Sequence, residues 1–521
     1  MHVLRSPLAQ AALVAALTGA GFAVGLQLSP PHLTHDEIKF ALQAKAIADT
    51  GRDINGRWLP VYFVEPGFSV GRDPLCIYVM AGVLRVLPLQ ESSIRLATVL
   101  VAALGVGLLY LLAAAIFQSR AVAMLVAGVM ALSPTYYIHG RLALSVLYPV
   151  PFTVLWLLLL HHYLSKRRKL LAAATGVVLG AGVYSYLAAA IMMPLYLLAT
   201  IALLFRQGDR AGLTRVTAGF LLMLIPIALW QAVEPDRYAN IVSAYRLFED
   251  QPGVQPAPVV TETGRLIGRR VDTFWATLDP GTMFFTGESS LQISTREVGS
   301  VLTPVAVLLV LGLTTLRRGI SGVIPPWLWT FGLVTAPLPA VIMADVEIRR
   351  WLVVLPFIAV IAGFGAARLL QGDRRRQFVL ASLVALCLVQ FGSFTRDFFG
   401  PYRERSSTWF GGNIRAAVVR VLDEARSEPP PLVYISSEIP WVDAYWQFYS
   451  LAKGQRELLH RTQYVRLSSG EMPAALSGAV LIAPVTTVEV SARLNQSGWD
   501  DLTVVPDLDG SPSLVVMRAR R

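Results

Sequence analysis

Thr34-His35-Asp36-Glu37 sets two adjacent carboxylates at the start of a helical pattern, and Lys39 follows Asp36 by three residues. On a helix that spacing puts Asp36, Lys39 and Phe40 on one face, with Gln43 continuing the stripe. A carboxylate beside a cation suits a reaction in which one group is deprotonated while an anion is bound nearby. The same residues also read as a capping box, with Thr34 as N-cap, Glu37 three positions on, and Asp36 in the first turn where the helix dipole favours an anion. That second reading accounts for both acids without catalysis. The two are compatible, because a helix start fixes a carboxylate in place and keeps it ionised.

These residues belong to a stretch, 32–75, that also carries Asp49, Arg52, Asp53, Arg57, Glu65, Arg72 and Asp73, in a chain that is only 15% charged. Everything around it is apolar. The chain is 54% hydrophobic with a mean hydropathy of +0.54, and its long apolar runs are the mark of membrane-spanning helices. They fall at 8–28, 94–117, 121–138, 147–164, 170–187, 188–205, 216–233, 298–316, 323–343, 351–370 and 378–394. A net charge of +11 would suit a nucleic-acid partner, but the basic residues sit in short clusters between apolar runs, as topology signals do. Nucleic acid is therefore excluded. Cys76 and Cys387 lie far apart within apolar stretches and read as small buried hydrophobes, neither a disulfide framework nor a metal site.

The run 74–88 carries Arg85, is bounded by prolines and falls short of the ~20 residues a span needs. Without it as a crossing, Arg120, Lys166–Lys169, Arg206/Arg210/Arg215, Arg317–Arg318 and Arg374–Arg376 all fall on the side of the N-terminus, the positive-inside pattern. The expected architecture is thus a polytopic α-helical membrane protein with about eleven spans. The first helix resembles a signal peptide in its charge and apolar run, but its length lets it span, and it reads as retained with a cytoplasmic N-terminus. Loop 29–93, the turn His139–Leu147, loop 235–297, the turn Ala344–Arg350 and everything after Thr395 then lie outside. Arg349 and Arg350 run against the charge bias there, which points to a functional role or to a solvated loop end.

From Arg396 onward polar residues rise. Helical spacing over Asn413–Arg426 alternates with β-like runs at Leu432–Ser437, Ala479–Ala483, Leu502–Val505 and Leu514–Met517, the pattern of a small extracytoplasmic α/β domain over 396–521. Trp441, Tyr445, Trp446 and Tyr449 share a helical face in it. They read as core or interface packing, or as a sugar-stacking surface.

The Asp-Glu pair after the first span, the helix ending "IADTGRD", and then "GRDPLCIYVMAGVLRVLP" resemble one superfamily, the large integral-membrane glycosyltransferases of the GT-C fold. "SSIRLATVLVAALGVGLLYLLAAAIF", "SPTYYIHGRLALSVLYPVPF" and "EIRRWLVVLPFIAVIAGFGAARLL" resemble its branch of protein O-mannosyltransferases and lipid A aminoarabinose transferases. The resemblance covers residues 8–395 as a transmembrane domain whose first external loop is catalytic. It implies a donor sugar on polyprenyl phosphate, a protein, lipid or polysaccharide acceptor on the external face, and residence in a bacterial-type inner membrane. It makes Asp36 the catalytic residue of an acid pair and Glu37 its partner, and matches Lys39 and Arg72 to basic positions that contact the carrier phosphate; Arg349 and Arg350 are further candidates for that clamp. Two positions depart from the pattern. Asp73 stands where the "KPPL"-like motif of relatives has proline. Arg141 and Ser145 are candidate second-loop or acceptor contacts, but relatives carry an acid where this chain has Ser145. A divalent metal between two external acids therefore has little support, and no other cofactor is implied.

Chemically, a sugar on polyprenyl phosphate already has a good leaving group, so the step needs a base for the acceptor's proton and cations for the departing phosphate. Direct attack implies inversion. A secondary transporter or flippase is the alternative of another class, but related halves and mid-span ionisable residues are not evident. A relative that binds lipid-linked sugar without turning it over is a third.

Overall fold

The computed structural model describes residues 6–64, 71–235, 259–318, 322–343, 346–467, 473–486 and 498–520. Glu65 and Ala344, which enter the reading above, lie outside these residues. In chain order, α1 (Pro7–Ala23) leads to α2 (His35–Thr50), a short antiparallel pairing of β1 (Phe63–Val64) with β2 (Gly71–Arg72), and α3 (Pro74–Leu84). There follow α4 (Glu91–Phe117), α5 (Arg120–Ala131), α6 (Pro134–His139), a 3₁₀ turn (Ser145–Leu147), α7 (Pro149–Lys166), α8 (Lys169–Gly182), α9 (Ala189–Arg206) and α10 (Arg210–Val233). Next come α11 (Val259–Thr277), a π turn (Thr282–Thr286), α12 (Thr303–Arg317), α13 (Pro326–Thr335), α14 (Leu338–Met343), a 3₁₀ turn (Ile348–Arg350), α15 (Val354–Leu370) and α16 (Arg374–Phe399).

Each apolar run read from hydropathy holds a helix. Among the described residues six stretches are long and apolar enough to cross a membrane: α4, Ser145–Lys166, α9, α10, Pro326–Met343 and α16. Six further apolar helices have 10–17 residues: α1, α3, α5, α8, α12 and α15. α3 has 11 residues and rises only ~16 Å, about half a hydrocarbon core. α10 and α16 bury only 17% of their apolar windows, and leave Leu221, Leu222, Leu229, Phe378, Leu388 and Val389 exposed. In water such faces would be a liability; in lipid they are the ordinary outer surface of a bundle.

Without a hydrophobic drive between helices in lipid, close approach must come from small residues. A Cβ on Gly176 of α8 would stand 1.9 Å from the Val216 carbonyl oxygen of α10, and one on Gly312 of α12 1.8 Å from that of Ile361 in α15. These two crossings admit only glycine.

Beyond α16, α17 (Pro401–Ser406) and α18 (Ile414–Glu424) precede β3 (Val433–Ser436), α19 (Val442–Ala452), β4 (Thr462–Val465), β5 (Val480–Pro484), β6 (Trp499–Pro506) and β7 (Pro512–Ala519). The sheet order is β4-β3-β5-β7-β6, with β3 parallel to β4 and β5 and the other pairings antiparallel. β3 is buried at all four positions, which is why it reads as a continuous apolar run. β4, the edge strand "TQYV", is half polar and carries no such signal in the sequence.

This C-terminal part is seated on the loop after α1. Tyr445 Oη donates to the Leu33 carbonyl at 2.6 Å, and Tyr449 Oη to Glu91 Oε1 at 2.6 Å. Arg415 Nη1 reaches Glu91 Oε2 at 3.1 Å, and His32 Nε2 meets Ser407 Oγ at 2.8 Å. Ile38, Ala41 and Ala44 of α2 share one apolar cluster with Val418, Tyr445 and Trp446. Of the aromatic face on α19, Tyr445, Trp446 and Tyr449 are therefore packing residues, and only Trp441 stays half exposed.

Candidate active site

The capping box at the start of α2 is formed. Glu37 N–H donates to Thr34 Oγ1 at 3.2 Å and Thr34 N–H to Glu37 Oε2 at 2.9 Å. Glu37 goes further: fully buried, it accepts from Arg95 Nε at 3.0 Å and from the Ala143 N–H at 3.0 Å. Arg95, equally buried, also donates to the carbonyls of Leu26, Pro30 and His32. Glu37 thus ties the loop, α2, α4 and the segment after α6 together, with its carboxylate turned into the scaffold.

Asp36 points the other way. Its side chain is 39% exposed, Arg72 Nη1 lies 2.6 Å from Oδ1, and His35 Nε2 lies 3.4 Å from the same oxygen. Burial works to raise its pKa, but Arg72, His35 and Lys39 outweigh that and hold the carboxyl below its usual range. Asp36 is an ionised, accessible carboxylate among cations. The β1–β2 hairpin is what brings Arg72 across to it, with Phe63 paired to Arg72.

Asp73, next in sequence, precedes α3 but makes no capping bond with its side chain. It accepts a 2.6 Å hydrogen bond from Ser145 Oγ instead. Burial pushes its carboxyl up to about 6, against the pull of the Ser145 hydroxyl, Arg72, Arg350 and the Leu187 backbone. Arg350 stands on the 3₁₀ turn before α15 and donates to Tyr186 Oη at 2.9 Å. Glu288 fixes that turn by accepting from the Ile348 N–H at 3.1 Å. Arg349 pairs with Glu347 at 2.5 Å.

Asp36, Arg72, Asp73, Ser145 and Arg350 therefore form one connected cluster drawn from four separate segments. Lys39 belongs to it through Asp36. Arg141 does not: it is fully buried and donates to the carbonyls of Phe22, Val24, Gly25 and Ser29, closing the C-terminal end of α1. Carbonyls at a helix end lack the N–H groups of a further turn, and a guanidinium with five donors answers several of them at once. Among the described residues no three His, Cys, Asp or Glu side chains form a metal-holding group.

Sequence reasoning passed over two participants, Tyr186 and Arg95, and named Asp73 and Trp441 without the contacts they make. Asp73 and Ser145 are the two positions where the chain departs from the motifs of its relatives. Each alone reads as a defect; in space they are a hydrogen-bonded pair. Arg95 did carry a signal, an arginine near the start of a long apolar helix, where a charge must be paired. Tyr186 carried none, and Trp441 was legible only as part of an aromatic face.

Comparison with known proteins bears on the fold that carries this cluster. The family described as Dolichyl-phosphate-mannose-protein mannosyltransferase matches residues 85–277. Among solved structures, ArnT from Cupriavidus metallidurans bound to undecaprenyl phosphate has a TM-score of 0.59 at 14% identity, covering 97% of this chain and 97% of that one. Its apo form gives 0.59 at 15% identity over the same shares. AglB from Archaeoglobus fulgidus, in complex with an inhibitory peptide and a dolichol-phosphate, gives 0.46 at 13% identity, over 87% of this chain and 64% of that one. No curated protein matches the sequence. The chain has the fold of the GT-C membrane glycosyltransferases, as its motifs led one to expect, and carries a stretch matching their mannosyltransferase branch.

Proposed function

We propose that the protein is an inverting glycosyltransferase that moves a sugar from a polyprenyl-phosphate donor to an acceptor hydroxyl on the external face of a bacterial-type inner membrane. The observation that carries this is Asp36: an exposed, ionised carboxylate at a helix start, 2.6 Å from Arg72 and beside Lys39, at the membrane-flanking loop. A carboxylate and cations stand together there, which supports a base beside an anion-binding group. The match over 85–277 and the ArnT-like fold support the same reading.

In the step, the acceptor oxygen attacks the anomeric carbon as the bond from that carbon to the phosphate oxygen breaks. The hydroxyl proton passes to Asp36, and the phosphate leaves as a monoester held by Lys39, Arg72 and Arg350. Charge develops on the sugar before the acceptor is fully bonded, so a weak base is sufficient and a carboxylate kept ionised is well matched. Arg72 is shared between Asp36 and the phosphate through its fork of donors. Glu37 serves this chemistry from behind, by fixing the turn that aims Asp36. About eleven spans, with 1–395 as the membrane domain and 396–521 as an extracytoplasmic domain, complete the arrangement.

The test is release of polyprenyl phosphate by the purified protein in lipid, given a panel of polyprenyl-phosphate sugars and membrane extract as acceptor. Wild type should release it with one donor and Asp36→Asn should not. Equal release by both would remove Asp36 from the base role.

A further inference from the structure

Trp441 reaches from the C-terminal part to the residues around Asp36. Its indole lies flat against His35, with ring centroids 4.9 Å apart and planes at 10°, and Lys39 Nζ stands 3.9 Å from its ring centroid. His35 and Lys39 are one helical turn apart and flank Asp36, so a single ring braces two of the three cation-capable groups beside that carboxylate, the third being Arg72.

The backbone beneath the ring is costly. Trp441 has φ 57° and ψ 20°, the left-handed region, at the position just before α19. That region disfavours side chains with a Cβ, and a bulky residue persists there only where its surroundings hold it. The helix that follows is anchored on the other side by Tyr445 and Tyr449, to Leu33 and Glu91. Trp441 is 38% exposed, whereas Tyr445 and Tyr449 are buried. A residue placed for packing alone would be covered like them.

We infer that Trp441 is a positioning residue of the active site: it holds the Lys39 ammonium at the cleft where the carrier phosphate binds, and makes the C-terminal domain part of the donor site. This rests on the function proposed above. The physical reason for an aromatic partner is that a ring face attracts an ammonium without neutralising it. A carboxylate in the same place would fix Lys39 equally well but would cancel the charge needed for phosphate.

The experiment measures binding of undecaprenyl phosphate to the full-length protein in lipid nanodiscs, for wild type, Trp441→Leu, Trp441→Phe, Lys39→Met and Lys39→Met/Trp441→Leu. Trp441→Leu should weaken binding about five-fold, and Trp441→Phe, which keeps a ring face, should restore most of it. With Lys39→Met already present, Trp441→Leu should change nothing further. An equal loss in both backgrounds would overturn the inference, since the ring would then act through domain docking and not through Lys39. Unchanged binding by Trp441→Leu would overturn it as well. If Lys39→Met binds as tightly as wild type, the phosphate role of Lys39 fails first and the inference falls with it, while Asp36 is judged separately by its own release assay.

Discussion

Replacing Asp73 by asparagine should make the protein more stable at neutral pH, and the gain should disappear in acid. Asp73 is buried, and its carboxyl is pushed up from the ordinary 3.8 to about 6, burial being the largest cause. That difference corresponds to about 3 kcal/mol of cost for carrying the charged form in the fold. The sign follows from proton linkage. With the folded pKa above the unfolded one, the fold binds the proton more tightly, so stability is fully present below about pH 4 and falls as pH rises to about 6. Asparagine keeps an oxygen to accept the Ser145 hydroxyl, holds no titrating proton and pays no such cost. Thermal unfolding in one detergent, followed by tryptophan fluorescence from about pH 4 to pH 8, should give coincident midpoints in acid and an advantage for Asp73→Asn that grows from about pH 4 to about pH 6 and stays constant above it. Ser145→Ala should widen the wild-type trend, because it removes a donor that favours the carboxylate. A gap between wild type and Asp73→Asn that does not vary with pH would refute the reasoning. So would a gap that favours wild type as pH rises, since Arg72 and Arg350 would then outweigh burial.

Two further outcomes follow from the same cluster. Glu37→Gln leaves Arg95 buried with its charge unanswered and should cost about 3–5 kcal/mol, seen as a lowered thermal midpoint, while Asp36→Asn should leave the midpoint near wild type. An undisturbed Glu37→Gln protein would show that the buried pair does not hold the loop. Arg72→Ala removes a group that holds the Asp36 pKa down, so the acid limb of the pH profile of kcat/KM should move to higher pH, with Arg72→Lys restoring part of the shift. A limb that stays in place would separate Asp36 from the rate-determining proton transfer.

The sequence alone determined the character of the chain and singled out the charged stretch after its first helix. Apolar runs foretold a helix in each place because a segment in lipid must satisfy its own backbone, and length alone marks 74–88 as too short. The capping box at Thr34–Glu37 was legible because capping is a local contract between residues three apart. The same reasoning located β3, β5 and β7 by their continuous apolar character, and passed over β4, an edge strand whose pairing rests on a distant neighbour. What the tertiary structure alone decided was which way each charged side chain faces. Glu37 and Asp36 are adjacent and equally acidic, yet one is enclosed by Arg95 from α4 and the other opens to Arg72 from a hairpin. Arg141 and Arg350 both follow apolar helices, yet one closes the end of α1 and the other faces Asp73. Asp73 meets Ser145 across 72 positions, and Trp441 meets Lys39 from the far end of the chain. Such pairings depend on which elements the bundle brings side by side, and helical periodicity carries no information about a partner that lies outside its own turn.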